Sequence, residues 1–319
     1  MSMRAAEIRL PGVAPVVVDR EVPRAGDGEV VVEVVAAPVT PLDVLCAGGK
    51  SYFGVPRTPY VPGVQGVGTV DGRLVWFPTS AGMEPGDGSM AGAAVARRSD
   101  LVELPDGVDP VLVAAAGLSA VAAHMAMTWR GELVAGEQVV VLGAGGVVGQ
   151  AAVQLARLAG ARRVVAAARS AEARTRAAAA GADAVVALDT SDHMELVGRF
   201  LAACDGAADL VLDPLFGVPA AAAAHTLRAG GRMVTLGASA GRTCPLDAAV
   251  LYGRSLRLLG YTNKELTGAQ QGEAVGVVAG AVARGELVVA HEVVELGEVT
   301  GAWERQEAGV VRGRVVLVP

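Results

Sequence analysis

Residues 139–160 read VVVLGAGGVVGQAAVQLARLAG, and this stretch decides the fold. The run VVVLG is a short, continuously apolar segment of the kind that forms a buried parallel strand, and QAAVQLARLAG is helical text. Between them, Gly143, Gly146 and Gly149 stand at the turn from strand to helix. Glycine there lets the backbone turn sharply and lets a pyrophosphate approach the N–H groups at the positive end of the following helix. Glycine clusters also make ordinary turns, but here strand, turn and helix follow in the order that dinucleotide binding requires. Gly143, Ala144, Gly146, Val147, Val148 and Gly149 are the expected cofactor contacts.

Downstream, a strand RVVAAA (163–168), a helix AEARTRAAAAG (171–181) and a strand AVVAL (184–188) complete a β-α-β-α-β series, and ADLVLD (208–213) and GRMVTLG (231–237) add two more strands. Such a series favours a parallel, doubly wound sheet. A cofactor without a 2′-phosphate meets an Asp or Glu at the end of the second strand, accepting hydrogen bonds from the ribose hydroxyls. This chain has Ala168, Arg169 and Ser170 there, with Arg174 one turn on. A guanidinium pairs well with phosphate, so Arg169, Ser170 and Arg174 point to NADPH; the alternative is that the arginines only solvate the start of the helix.

Upstream, VVVDREV (16–22) and EVVVEVVAAPV (29–39) alternate in short valine-rich stretches broken by Pro23 and a Gly-Asp-Gly turn at 26–28. Glycine and proline punctuate the text to about Pro105, which predicts a β-rich, barrel-like first domain. The character changes at Asp109-Pro110, a helix start signal followed by VLVAAAGLSAVAAHMAMTWRG (111–131). From about Tyr261 the tail holds one helix, GEAVGVVAGAVARGEL (272–287), and then strand text ending in RGRVVLVP. A length of 319 residues suits two hydrophobic cores.

Composition narrows the function. Hydrophobic residues make up 52% of the chain but aromatics only 3%, so the apolar mass is Ala, Val and Leu, which suits helices packed on valine-rich strands. A net charge of −6 leaves no basic face for a phosphate backbone, which argues against nucleic-acid binding and for a metabolite enzyme. Cys46, Cys204 and Cys244 are few, scattered and odd in number, so they build neither a disulfide framework nor a cysteine zinc site. The start, MSMRAAEIRLPG, lacks an apolar core, and no apolar run reaches membrane length without Gly, Pro or charge. The expectation is a cytoplasmic protein with no membrane partner.

TPYVPGVQGVGTV (58–70) resembles the first-domain signature of the medium-chain dehydrogenase/reductase superfamily, and GVVGQAAVQLARLAGARRVVAAAR resembles its nucleotide-binding half. AGGRMVTLGASAG (229–241) resembles the strand and loop beside the nicotinamide, and VTPLD (39–43) and RGRVVLVP extend the likeness over nearly the whole chain. The resemblance implies an α/β protein in which a GroES-like β-rich catalytic domain (1–117 and 260–319) holds a Rossmann doubly wound domain (118–259). It further implies a cofactor in the cleft between the domains, with Gly237 and Ala238 facing the nicotinamide and Arg314 reaching the phosphates, and a homodimer or homotetramer.

Zinc-dependent members need a Cys, a His with its Glu neighbour and a further ligand to hold a Lewis-acid metal. At the matching positions stand Thr40, Val64 and Gln65, and His124, His193, His225 and His291 are isolated in the sequence. The closest pattern is therefore the zinc-free quinone oxidoreductases and enone reductases. Their substrates, quinones or α,β-unsaturated carbonyls, accept the hydride's charge by conjugation, leaving the protein to orient the substrate and hydrogen-bond its oxygen. Thr40 either holds the cofactor ribose or substrate oxygen or caps a turn before Pro41; Tyr52 either lines the cleft or packs. The short Asp71-Gly72-Arg73 connection, and Met90 and Gly92 in place of the usual Tyr and Glu, trim the first domain. A specialised biosynthetic carbonyl or enoyl thioester, or a non-catalytic NADPH sensor, are the rival expectations.

Overall fold

Valines alternating with polar residues give antiparallel ladders with one dry face, and the first hundred residues follow that rule. The computed structural model describes residues 2–319, which divide into two compact units. In the first unit β1 (Ser2–Glu7) pairs with β2 (Val16–Glu21). The long β3 (Glu29–Val39) is the spine of a seven-stranded sheet and leads directly into helix α1 (Pro41–Ala47). Antiparallel to β3 run β4 (Gln65–Val70) and, on its other half, β6 (Ala93–Arg97). β5 (Arg73–Pro78) returns beside β4, and β7 (Val102–Glu103) lies beside β5. The β4–β5 turn has only Asp71 and Gly72 at its apex, with φ of 52° and 78°, the left-handed pair that a two-residue hairpin requires. Ile8, Val32, Met90, Phe77, Trp303 and Val315 centre the core of this unit.

Helix α2 (Pro110–Met125) follows, its start held by Asp109 Oδ1, which accepts the N–H of Val111 at 2.9 Å. Gly117, with φ 31° and ψ −136°, breaks the helix where the first unit gives way to the second. A side chain there would collide with the Gln65 carboxamide. The segment Pro110–Arg130 is long and apolar enough to cross a membrane, yet 67% of its most apolar window is buried inside the protein, as in a core helix.

The second unit alternates strand and helix: β8 (Gln138–Val141), α3 (Val147–Leu158), β9 (Arg163–Ala168), α4 (Ala171–Ala179), β10 (Ala184–Ala187), α5 (His193–Ala203), β11 (Ala208–Asp213), α6 (Gly217–Ala224), β12 (Leu227–Thr235), α7 (Ala248–Gly253) and β13 (Arg257–Gly260). Its six strands are parallel and ordered β10-β9-β8-β11-β12-β13. The chain winds outward from β8 through β9 to β10, then starts again on the other side with β11. The switch point between β8 and β11 is where ligands of open α/β sheets bind, outside the carboxyl ends of the strands. Every residue of β8 is buried. On β12, Arg232 donates to both Glu137 carboxylate oxygens, at 2.7 and 2.6 Å, and to the Gly131 carbonyl at 2.7 Å.

The second unit runs on to Thr267, past the boundary expected at 259. Tyr261 packs edge-on against Trp129, Asn263 Nδ2 donates to the Leu118 carbonyl and Arg130 pairs with Glu265, which ties 261–265 to this unit. The chain then returns to the first unit with α8 (Gly268–Ala283), β14 (His291–Glu295), α9 (Val299–Glu307) and β15 (Arg314–Val318). β15 pairs antiparallel with β3, Val315 opposite Val39. Two helices therefore stand in the tail where one was expected; α9 carries Val299, Thr300 and Gly301 in its first turn, residues of low helix propensity that hide it.

Candidate active site

Four strand ends of the second unit face the switch point. β8 delivers the glycine loop, in which Ala144 N–H donates to the Ala167 carbonyl of β9 at 2.9 Å and Gly146 N–H to the Gly143 carbonyl at 3.0 Å. Gly143 has φ 64°. A Cβ on Gly149 would land on the Ala144 Cα and the Gly143 carbonyl, and one on Gly145 would land on the Ala173 methyl. Glycine is thus required at 143, 145 and 149, whereas a Cβ on Gly146 would meet nothing closer than 3.5 Å. Gly145 was not singled out from sequence, because its constraint comes from a helix 28 residues downstream (173 − 145) that spacing does not reveal.

No side chain caps α3, since its N-cap is Gly146. The N–H groups of Val147, Val148 and Gly149 lie in its first turn and have no acceptor within the helix. An uncapped, glycine-lined helix start at a switch point fits a dinucleotide pyrophosphate.

At the end of β9, Arg169 and Ser170 are exposed. Ser170 Oγ accepts the Ala173 N–H at 3.2 Å and caps α4. Arg174 Nη1 donates to the Arg169 carbonyl at 2.6 Å and lies 3.7 Å from Asp189. β11 ends at Asp213, a buried carboxylate missed from sequence. It accepts the N–H groups of Leu215 and Phe216 at 2.9 and 2.7 Å and the Thr235 hydroxyl at 3.0 Å. Burial raises its pKa, against the pull of those donors. The two backbone bonds hold Phe216 at φ 57°, a left-handed conformation unusual for a bulky side chain. β12 ends at Gly237 and Ala238; a Cβ on Gly237 would sit 2.5 Å from the Pro214 carbonyl, so this loop packs against the one Asp213 fixes.

Thr40 is the N-cap of α1: its hydroxyl donates to Asp43 Oδ2 at 2.6 Å and accepts the Asp43 N–H at 3.2 Å. Asp43, another residue missed from sequence, also takes the Thr40 N–H at 2.8 Å and the Val64 N–H at 2.9 Å. Burial raises the Asp43 pKa, while these donors and the nearby Arg314 lower it. Arg314 is 4% exposed and donates to the Val39 carbonyl at 3.0 Å; burial pushes its pKa down to about 10 despite Asp43. It is thus a buried neighbour of Asp43. Tyr52 is 69% exposed, its ring 4.4 Å from that of Phe53.

Val64 presents an aliphatic side chain, and the Gln65 carboxamide accepts the Trp76 indole N–H at 2.9 Å. Among the described residues no three His, Cys, Asp or Glu side chains converge on a metal-sized space. The histidines are not all isolated: His193 and His225 face each other edge to face, ring centres 5.3 Å apart.

The zinc-binding dehydrogenase family matches residues 147–273, within the second unit for most of that span. The quinone oxidoreductase of Lama guanicoe is 33% identical over 165 residues, 49% of this chain and 49% of that one, so the alignment spans about half the length of that relative. The human quinone oxidoreductase is 27% identical over 245 residues, 74% of this chain and 72% of that one. Among solved structures, the quinone oxidoreductase from Thermus thermophilus, determined also as its complex with NADPH, is 31% identical with a TM-score of 0.83, covering 99% of this chain and 100% of that one. That whole-chain likeness, joined to a glycine loop at the switch point of a doubly wound sheet, makes this chain a quinone oxidoreductase-like member of the medium-chain dehydrogenase/reductase superfamily, built from a GroES-like unit and a Rossmann unit.

Proposed function

We propose that the chain transfers hydride from NADPH to a quinone or an α,β-unsaturated carbonyl without a zinc ion. The observation that carries this reading is the side-chain content of positions 40, 64 and 65. A zinc that polarises an alcohol or carbonyl needs thiolate, imidazole or carboxylate ligands. Here the three side chains are a hydroxyl engaged with Asp43, an isopropyl group and a carboxamide engaged with Trp76. Without a Lewis acid, a developing alkoxide lacks its stabiliser, so a conjugated acceptor that spreads the charge over its own π system suits the site better.

NADPH supplies the hydride when bound. The first turn of α3 offers N–H groups to the pyrophosphate, Gly145 and Gly149 let the backbone approach it, and Asp213 fixes the loop on which Gly237 rests. The absence of a carboxylate at 168–170 supports the phosphorylated cofactor. The reading extends to a homodimer. In its support, β13 pairs on one side only, with β12, and Leu258 on it and Tyr252 before it are 42% and 75% exposed.

The test is a fluorescence titration with NADPH and NADH, followed by absorbance at the nicotinamide band with quinones, enones and aldehydes, with and without chelator. Oxidation of NADPH by an enone or quinone that chelator leaves unchanged is expected. Loss of activity to chelator, or turnover of aldehydes alone, overturns the reading. Light scattering reads the dimer directly as the mass of two chains.

A further inference from the structure

The glycine loop is held from behind by two side chains. The Gly145 carbonyl accepts a hydrogen bond from Gln150 Nε2 at 3.0 Å and a second from Arg176 Nε at 3.2 Å. Gln150 belongs to α3, the helix that the loop opens, but Arg176 reaches in from α4. It can do so because α4 lies directly against the loop: Ala173, one turn before Arg176, is small, and Gly145 has no side chain to keep it away. Long helical side chains lean toward the N-terminus of their own helix. The Arg176 chain therefore runs past Ala173 toward the end of β9, where Arg169 stands.

The three arginines of this corner differ in what already holds them. Arg174 donates to the Arg169 carbonyl and faces Asp189, a carboxylate that also receives Arg199 at 2.5 Å. Arg176 makes its one hydrogen bond among the described residues through Nε, which leaves its two terminal nitrogens without a protein partner. The Arg169 guanidinium is exposed and makes no hydrogen bond or ion pair to the described residues. Two guanidinium groups are thus available, Arg176 at the Gly145 carbonyl and Arg169 just past the end of β9, and Arg174 is not one of them.

We infer that Arg176, acting with Arg169, determines the preference for a 2′-phosphorylated cofactor, and that Arg174 is structural. The inference rests on the dinucleotide reading of the glycine loop. With the pyrophosphate on the first turn of α3, the adenosine ribose falls at the end of the second strand of the series. Arg169 follows directly on that strand end, and the loop that Arg176 holds through the Gly145 carbonyl is bonded to the same strand end by the Ala144 N–H. A 2′-phosphate brings nearly two negative charges to two free guanidinium groups, which bind it by short, charge-assisted hydrogen bonds. Arg176 is positioned for this by the Gly145 carbonyl, which fixes its Nε and so aims the rest of the group.

Equilibrium binding without substrate tests it, on the full chain, by titrating NADPH and NADH against the wild type and the variants R176Q, R176K, R169Q and R174Q, with thermal melts to verify folding. R176Q keeps a donor for the Gly145 carbonyl and removes the charge. It and R169Q are each expected to weaken NADPH by about 10- to 100-fold and to leave NADH within about twofold. R176K is expected to recover part of the loss, and R174Q to leave the NADPH to NADH ratio at its wild-type value. Equal weakening of both cofactors by R176Q would reduce Arg176 to a support of the loop and overturn the inference, as would no change in either. A wild type that binds NADPH tightly while R176Q does the same sinks the inference alone; a wild type that binds neither cofactor sinks the dinucleotide reading with it.

Discussion

Thr40 and Asp43 cap one another: the Thr40 hydroxyl and N–H both reach Asp43 Oδ2, at 2.6 and 2.8 Å, and the Asp43 N–H returns to the Thr40 oxygen at 3.2 Å. The second carboxylate oxygen takes the Val64 N–H at 2.9 Å, so this one side chain joins the start of α1 to the residue before β4. Replacing Thr40 by Ala removes the hydroxyl from a buried carboxylate. The expected cost is about 1–2 kcal/mol in chemical denaturation, with Thr40→Ser close to wild type. If Thr40→Ala instead keeps its stability and loses turnover, the hydroxyl belongs to the chemistry and not to the cap.

The glycine loop gives an ordered set of outcomes. Gly149→Ala and Gly145→Ala each force a methyl into backbone or into Ala173, so the loop must shift, at about 1–3 kcal/mol of overpacking. Gly146→Ala places its methyl in ordinary contact distance of the Gly143 carbonyl, 3.5 Å away, at a φ of −83°. In thermal melts without cofactor the first two variants are expected to fall well below the third. A Gly145→Ala protein as stable as Gly146→Ala would show that α4 does not press on the loop.

The second unit was legible because its constraints are local. The strand, turn and helix of 139–160 carry their periods in adjacent residues; Gly143 is needed for its own positive φ, and Gly149 for contacts with Gly143 and Ala144 within six positions. What sequence concealed was made by contacts between distant segments. Gly145 is fixed by Ala173, Arg176 reads as one more arginine on an alanine-rich helix, and His193 meets His225 only after α5 packs beside α6. The kink at Gly117 is likewise written in the Gln65 side chain that fills the space a Cβ would need. Asp43 is a different case. Thr-Pro-Leu-Asp carries the spacing of a capping box, which is legible locally, but the bond from Asp43 to the Val64 N–H, 21 residues on, is made only by the fold.

Arg232 and Glu137 are nearly buried, with side chains 5% and 10% exposed, and they form two bonds to each other while Arg232 also satisfies the carbonyls of Gly131 and Glu132. Removing Arg232 leaves Glu137, in a poorly solvated place, with Arg228 at 3.6 Å as its remaining counter-charge. Arg232→Met is expected to cost about 3–5 kcal/mol, read as a lower denaturation midpoint of the second unit. Replacing both residues, Arg232→Met with Glu137→Leu, is expected to recover a large part of that loss. If the double variant is no better than the single one, the carbonyls left behind, and not the stranded carboxylate, dominate the cost.

The His193 and His225 rings meet with both Nε2 atoms buried and without a hydrogen-bond partner among the described residues. Around His225, the Asp247 carboxylate favours the charged form, while burial, His193 and the Arg254 guanidinium oppose it. Burial is the largest of these, and the pKa of His225 lies below its ordinary value of 6.5. The unfolded chain therefore takes up the proton first as pH falls, and linkage then removes stability. The contribution is complete above about 6.5 and declines as pH drops through that value toward the folded-state pKa. The melting temperature of the wild type is expected to fall between pH 7 and 5 more steeply than that of His225→Gln, which has no proton to gain at that position. Parallel curves for the two proteins would mean that the imidazole is solvated well enough in the fold to titrate as it does in the unfolded chain.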